Sequence, residues 1–191
     1  MTNLQMPKVE QSILSMKDKI VSDFENILDS KNILFDDDEI RPYETDALAA
    51  YKQKPLIVVL PETVEQVSKI LKYCNENKIK VVPRGAGTGL SGGSLPLADC
   101  VLLGMGKFNK ILEIDYKNKC VVAQPCVTNL AITHAVQDNK FYYAPDPSSQ
   151  LACSIGGNVA ENSGGVHSLK YHSFPADRRR YRSGWRPDRH P

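Results

Sequence analysis

The sequence lacks the features that mark several specialised classes of protein. Its longest apolar stretches, such as Leu56 to Leu60, are far shorter than the roughly 20 residues of a membrane-spanning helix. The first ten residues contain no charged segment followed by an apolar one, so no secretory signal is predicted and a cytoplasmic location is expected. The 5 cysteines are an odd number without CxxC spacing, which argues against a disulfide framework or a zinc site and predicts reduced thiols.

Arginine is also scarce until the end of the chain. Residues 1–172 hold 16 Lys, 2 Arg and 20 acidic residues, whereas residues 173–191 hold 6 Arg, no Lys and 2 acidic residues. The net charge of +2 therefore comes from the end of the chain, and the slightly acidic body is not predicted to bind nucleic acid. The change in composition predicts a disordered, Arg-rich tail over residues 173–191.

The first part of the chain is predicted to be a helical N-terminal extension, residues 1–50. Apolar residues at helical spacing predict one amphipathic helix within residues 9–31. The four adjacent carboxylates at residues 36–39 cannot all face one ion, so this run is predicted to be a solvated loop without chemistry.

Alternating strands and helices are predicted after the extension. An apolar run at residues 56–60, a helix capped by Thr63 and Gln66, and a short strand at residues 79–82 form a unit of the type that pairs in parallel. The fold class that follows is α/β or α+β. Further elements are expected as strands at residues 100–103, 111–114 and 120–123 and a helix at residues 130–136.

Glycine is concentrated directly after the second of these strands. Five of the nine residues 85–93 are glycines, which suits a backbone that turns tightly and brings its N–H groups against an anion. The segment predicts a phosphate cradle, with a flexible surface loop as the alternative. A nicotinamide site is disfavoured because no helix is predicted to start at Ser94, and a Walker A loop is excluded because Phe108 follows the only Gly-Lys pair.

Two later segments have compositions that suit a ligand. Prolines stiffen the segment from Ala144 to Gln150, and two glycine pairs surround a short helix-compatible stretch between Ser154 and Gly165. Asn158 and Asn162, at i and i+4, are predicted to present their amides on one helical face, where a flat ligand could lie. Each loop alone could be turn chemistry, but the three together predict an extended ligand.

These segments resemble a known family. The motifs Arg41 to Asp46, Pro83 to Gly93, Tyr143 to Gln150 and Gly156 to Gly165 are similar to the FAD-binding (PCMH-type) domain of the glycolate oxidase D-subunit and D-lactate dehydrogenase family, which belongs to the vanillyl-alcohol-oxidase type flavoproteins. The resemblance covers about residues 41–171. It implies an α+β FAD-binding domain over residues 51–172, incomplete at its C-terminus, and a non-homologous tail after it.

The resemblance also implies how FAD is bound. The backbone of the first glycine segment would cradle the pyrophosphate, and the two later segments would line the flavin and its ribityl chain. Many relatives attach FAD covalently through a histidine in the first glycine loop, and none is present here, so non-covalent FAD is expected. The cofactor-binding residues that the resemblance implies are Arg84, Gly85, Ala86, Gly87, Thr88, Gly89, Leu90, Ser91, Gly92, Gly93, Pro145, Asp146, Pro147, Ser148, Ser149, Ser154, Gly156, Gly157, Asn158, Asn162 and Gly165.

No catalytic residue and no metal ligand is assigned. The four histidines are expected in core, turn or solvent positions. Three residues depart from the family pattern: Cys126 and His172 stand where glycine is usual, and Ser168 stands where cysteine is frequent. If the first of these positions required a positive φ, Cys126 would add strain.

The function implied is that of an FAD-binding fragment of a 2-hydroxy-acid oxidoreductase, which converts glycolate or D-lactate to the 2-oxo acid. The fragment is expected to be inactive alone, because the substrate domain is missing. The small 2-hydroxy acid is therefore expected to bind only to full-length members of the family. Other oxidase subunits are candidate protein partners. The alternative is a non-catalytic binding module whose basic tail recruits an acidic partner. The abrupt end of the resemblance near Tyr171 further predicts that the tail is an out-of-frame or otherwise non-homologous ending.

Overall fold

A four-stranded mixed sheet lies at the centre of the first of two units in this computed structural model. The units comprise residues 1–107 and 108–191. The structure describes residues 6–167 and the backbone of residues 186 and 187. Ser168 and His172 lie outside the described residues, as does the predicted tail apart from the backbone of residues 186 and 187.

Two short helices replace the single helix that was expected near the N-terminus. Helix α1 is Gln11–Leu14 and α2 is Lys17–Glu25. The Ser15 hydroxyl donates to the Ser12 carbonyl at 2.9 Å, a local bond that competes with the helical ladder at the break. The predicted amphipathic pattern is confirmed, because Ile20 and Phe24 are fully buried.

The acidic run also differs from its prediction. Residues 37–40 form helix α3, Asp37–Ile40, instead of a loop. Three carboxylates in its first turn favour this helix through the positive end of the helix dipole. The carboxylates are exposed, as expected, and Lys54 Nζ lies 2.6 Å from a carboxylate oxygen of Asp37.

The central sheet has the order β1-β2-β4-β3, in which β1 is Ile33–Leu34, β2 Ile57–Val59, β3 Lys80–Arg84 and β4 Cys100–Gly104. Strand β1 is antiparallel to β2, whereas β2 and β3 both pair in parallel with β4. The predicted strand–helix–strand unit is therefore parallel, but β4 lies between its two strands. Sequence reasoning did not identify β1, which has only two residues.

Helix α4, Val64–Glu76, connects β2 to β3 and has the predicted capping box. The Thr63 hydroxyl accepts the Gln66 N–H, and the Gln66 side chain accepts the Thr63 N–H. Its buried residues Ile70 and Cys74 pack into the main core with side chains of β2, β4 and α2. Within residues 6–167, short 3-10 helices occur at Ser30–Asn32, Arg41–Tyr43 and Gln137–Asn139.

The second unit begins with an antiparallel hairpin formed by β5, Ile111–Asp115, and β6, Cys120–Ala123. Helix α5, Asn129–Val136, β7, Phe141–Tyr142, and helix α6, Ile155–Glu161, follow it. A two-residue strand β8, Arg186–Pro187, pairs with β7. Buried Val127, Ile132 and Tyr143 form a small core against one face of the hairpin. The α+β fold class is confirmed.

Cys126 adopts an ordinary backbone conformation. The non-glycine residues with positive φ in the described chain are Lys78, Lys119, Lys140 and Asn162, so the condition under which Cys126 would add strain is not met. The Cys126 N–H donates to the Phe108 carbonyl at 2.8 Å, which a cysteine can do as well as a glycine. No helix in residues 6–167 combines the length and apolarity needed to span a membrane.

Candidate functional site

The first glycine segment leaves the sheet at the end of β3. Arg84 is the last residue of that strand, and its carbonyl accepts the Met105 N–H at 2.9 Å. Gly87 and Gly92 then take φ values of +67° and +76°, which side chains other than glycine rarely adopt. The prediction that this segment needs glycine for its backbone conformation is confirmed at these two positions.

The Arg84 side chain folds back over its own loop. Its Nη1 donates to the Tyr43 carbonyl at 3.2 Å, and its guanidinium carbon lies 5.8 Å from the centre of the Tyr43 ring. A Cβ added to Gly87 would lie only 2.8 Å from Nη2 of Arg84, so the guanidinium covers the α-carbon of that glycine. Burial lowers the pKa of the guanidinium, while Asp46 and Tyr43 act in the opposite direction.

A buried carboxylate fixes the loop from the same side. Asp46 is 6% exposed, and its oxygens accept the Leu48 N–H at 2.9 Å and the Ser94 hydroxyl at 3.4 Å. The neighbouring Ala47 N–H donates to the Gly87 carbonyl at 2.9 Å. The 43–48 segment therefore holds both ends of the glycine loop.

The backbone N–H groups in the first half of the loop face no hydrogen-bond acceptor of the described chain. Within the described part of the chain, no backbone N–H from Gly85 to Leu90 donates a hydrogen bond. Gly85, Ala86 and Leu90 are exposed. A run of N–H groups on a loop that is fixed from behind is a donor set that suits an anion such as a pyrophosphate. The chemistry of this loop therefore fits the FAD pyrophosphate.

The candidate residues of the second unit are held differently, because their polar backbone groups bond one another. Asp146 donates its N–H to the Gly164 carbonyl at 2.8 Å and forms a parallel bridge with Gly165. Gly165 has a φ of +98°, and a Cβ there would overlap the Asp146 backbone. The His167 ring, on an exposed turn, lies 2.8 Å from the Asp146 carboxylate through Nδ1.

The first turn of helix α6 packs against Pro125. Ser154 is its N-cap, and the Ser154 hydroxyl accepts the Gly157 N–H at 3.3 Å. The Gly156 N–H donates to the Pro125 carbonyl at 2.8 Å, and a Cβ on Gly156 would lie 2.7 Å from the Pro125 side chain. Gly156 is thus required by packing inside the unit. Among the other candidates of this segment, Pro145 is buried, Pro147 and Ser149 are half-buried, and Ser148 is exposed.

The two asparagines that were predicted to share a helical face do not. Helix α6 ends at Glu161, and Asn162 is its C-cap with a φ of +58°, so the helical face stops before this residue. Asparagine tolerates this left-handed conformation, which explains why the helix ends there. Asn158 is 4% exposed and its amide points inward, where Nδ2 donates to Asn129 Oδ1 at 2.6 Å.

Sequence reasoning assigned no role to three residues that organise these segments. Tyr43 and Asp46 were noticed only as part of a family motif, and Asn129 was not singled out. Asn129 is 1% exposed, and its Nδ2 donates to the Pro145 carbonyl at 2.9 Å. A polar residue directly after an N-cap threonine was the only signal, and it does not identify a partner 16 residues away.

Groups that could perform covalent or metal chemistry are not assembled in the described residues. Burial raises the pKa of the Cys74 and Cys100 thiols to about 11, and it also raises the pKa of Cys126. These thiols therefore stay protonated and unreactive at neutral pH. No group of three or more His, Cys, Asp and Glu side chains in residues 6–167 is placed to hold a metal ion.

Comparisons with known proteins identify the same cofactor. A family profile described as an FAD binding domain matches residues 55–176. The glycolate oxidase subunit GlcD of Escherichia coli strain K12 is 60% identical over 139 residues, which cover 73% of this chain and 28% of that protein. The D-lactate dehydrogenase of Anaerostipes hadrus is 37% identical over 142 residues, which cover 74% of this chain and 30% of that protein.

The fold is also found among solved structures. The crystal structure of p-cresol methylhydroxylase with substrate bound superposes with a TM-score of 0.69 at 26% identity, over 83% of this chain and 31% of that chain. This chain thus spans 28% of the length of the E. coli glycolate oxidase subunit that it matches. Because the matched segment, residues 55–176, makes up more than half of the sequence, the chain belongs to the FAD binding domain family.

Proposed function

We propose that this chain is the FAD-binding part of a 2-hydroxy-acid oxidoreductase, with FAD bound non-covalently. The names of the similar proteins, glycolate oxidase and D-lactate dehydrogenase, support this class of substrate. Bound FAD would accept a hydride from the alcohol carbon, and the protein would bind and orient the cofactor.

The unused N–H groups from Gly85 to Leu90 are the observation that carries the proposal. They leave the first glycine loop as a set of backbone donors, and the loop is already ordered by Asp46, Ala47 and Arg84, so little ordering entropy is lost on binding. In the first unit, residues 84–93 would hold the pyrophosphate. Arg84 would contribute by fixing the loop, since its guanidinium is engaged with Tyr43 and its carbonyl accepts the Met105 N–H.

In the second unit we assign the flavin and its ribityl chain to the segments between Pro145 and Gly165. Their backbone groups largely bond one another, so they offer a shaped surface in place of a set of free donors. Such a surface suits the face of an aromatic ring system better than it suits an anion. Of the candidate residues in this part, Ser148 and Asn162 are exposed.

The proposal is tested by titrating the purified chain with FAD and following the quenching of flavin fluorescence. Saturable binding is expected, and acid precipitation should release all of the flavin into the supernatant, because no covalent bond holds it. Gly92→Val should weaken binding, since its φ is +76°, whereas Gly106→Val is the matched control, with no atom within 4 Å of its added Cβ. A well-folded chain that does not bind FAD contradicts the proposal.

The substrate, partners and location are further parts of this proposal. Glycolate or D-lactate would be the substrate of the whole enzyme, other oxidase subunits would be its protein partners, and the cytoplasm would be its location. Because the chain spans 28% of its E. coli relative, we expect neither substrate to bleach FAD bound to this chain alone under anaerobic conditions. Bleaching by either substrate would show that the residues needed for substrate oxidation are contained in this chain.

A further inference from the structure

A buried pair of amides connects the two segments that carry the second unit's candidate residues. Asn158 Nδ2 donates to Asn129 Oδ1 at 2.6 Å, and Asn129 Nδ2 donates to the Pro145 carbonyl at 2.9 Å. Asn158 Nδ2 also lies 3.4 Å from Cys153 Sγ. The chain of bonds thus runs from helix α6 through one side chain to the beginning of the 145–150 loop.

The orientation of the Asn129 amide is fixed by these two partners. Its oxygen must accept from an amide nitrogen, and its nitrogen must donate to a carbonyl, so a rotation by 180° would place like groups against each other. Asn129 and Asn158 are 1% and 4% exposed, so breaking one of these bonds would leave a buried polar group without its partner. The side chain therefore acts as a directional connector between α6 and Pro145.

The backbone around Asn129 is held by the same segments. Thr128 caps helix α5 through its hydroxyl and forms an antiparallel bridge with Ser154. The Leu130 N–H donates to the Gln150 carbonyl at 3.4 Å. The beginning of α5 thus contacts both the 145–150 loop and the N-cap of α6. These two backbone contacts fix the position of the Asn129 side chain between them.

A change at Pro145 would extend to the last glycine pair. The next residue, Asp146, donates its N–H to the Gly164 carbonyl and bridges Gly165. The position of the Pro145 carbonyl consequently sets the position of the 164–165 turn. The buried Asn129 side chain thus bonds the start of the 145–150 loop and helix α6 directly, and it is connected to the final glycine turn through the Pro145–Asp146 peptide.

We propose that Asn129 is a positioning residue that sets the shape of the 145–165 surface for the flavin. Asn158 contributes through Asn129 and not by direct contact with the cofactor. This inference rests on the proposed function, in which the 145–165 segments line the flavin.

The test compares Asn129→Asp with the wild-type chain, using FAD and ADP as probes. The aspartate keeps the size and the acceptor for Asn158, but it places an oxygen against the Pro145 carbonyl. We expect the Kd for FAD to rise about tenfold, the size expected for one buried hydrogen bond. The Kd for ADP, which has the pyrophosphate and adenine but no flavin, should stay unchanged. Asn139→Asp, at an exposed asparagine of the same unit, is the matched control and should change neither Kd.

A second variant keeps the test decisive if Asn129→Asp does not fold. Asn158→Ser removes the donor to Asn129 and leaves the bond to Pro145 in place, and it should also raise the Kd for FAD without changing that for ADP. Far-UV circular dichroism and thermal unfolding establish folding for each variant.

Three results would overturn the inference. Unchanged FAD affinity in a folded Asn129→Asp or Asn158→Ser chain refutes the positioning role alone. An equal loss of FAD and ADP affinity assigns Asn129 a general structural role and refutes it as well. A wild-type chain that does not bind FAD overturns the proposed function, and this inference falls with it.

Discussion

Three glycine-to-alanine substitutions should separate backbone strain from steric overlap. Gly106 has no atom within 4 Å of an added Cβ and no left-handed φ. Gly92 has a φ of +76°, but the nearest atom to its added Cβ, Leu48 Cδ2, is at an ordinary 3.5 Å. Gly165 combines a φ of +98° with overlap of the added Cβ and the backbone of Asp146. Gly92 thus differs from Gly106 by its left-handed backbone conformation, and Gly165 differs from Gly92 by the steric overlap of an added Cβ.

The magnitudes follow from these differences. Alanine restricts the unfolded chain at each position and should stabilise Gly106→Ala by about 0.4–1 kcal/mol. At Gly92 the left-handed conformation costs about 1–2 kcal/mol, which leaves a net loss of about 1 kcal/mol. At Gly165 the overlap involves backbone atoms that cannot rotate away, and we expect a loss of about 3 kcal/mol or more.

Urea denaturation followed by far-UV circular dichroism measures the free energy of unfolding of each variant. The expected order of stability is Gly106→Ala, wild type, Gly92→Ala, Gly165→Ala. Gly165→Ala should also weaken FAD binding, because the 164–165 turn bonds Asp146. A Gly165→Ala chain as stable as Gly92→Ala would refute the close approach of this turn to Asp146.

Further substitutions test other contacts. Arg84→Lys keeps the charge but loses the planar contact with Tyr43, so the free energy of unfolding should fall by about 1–2 kcal/mol and FAD should bind more weakly. Arg41→Lys, at an exposed arginine, is the control and should change neither the free energy of unfolding nor FAD binding. Thr63→Ala removes the cap of α4 and should cost about 1 kcal/mol in urea denaturation, and no loss would contradict the capping box. Burial raises the pKa of Asp99, but hydrogen bonds from Lys80 and the Glu10 N–H outweigh it and hold the pKa below its ordinary value. Its stabilisation is therefore complete above about pH 4 and is lost as pH falls through the lowered pKa, so unfolding free energies measured from pH 6 to pH 2 should fall more steeply for wild type than for Asp99→Asn. Parallel pH profiles would refute this contribution.

Elements with strong local signals were predicted well. Helix α4 has its capping box and apolar spacing within one segment, and β2 and β4 are continuous apolar runs. The break between α1 and α2 was missed because a single hydroxyl bond at Ser15 does not disturb the apolar period. Strand β1 and the placement of β4 between β2 and β3 depend on long-range pairing, which local patterns do not contain.

The same limit applies to the candidate site. Positive φ at Gly87 and Gly92 could be expected from the clustering of glycine. The partners that hold the loops could not, because Asp46 and Ser94 are 48 residues apart and Asn129 and Asn158 are 29 apart. The shared helical face of Asn158 and Asn162 was predicted wrongly, because the end of α6 at Glu161 was not foreseen.

The order of the central sheet has a consequence for association between chains. Strand β1, with two residues, offers little edge for pairing, and β3 at the other end contains Pro83. Because the Arg84 carbonyl faces β4, the nitrogen of Pro83 faces outward, where it has no hydrogen to donate. Both edges are therefore poor templates for a strand from another molecule. The β5–β6 hairpin, which exposes Leu112 and Val122, is by contrast a place where we expect intermolecular strand pairing to begin.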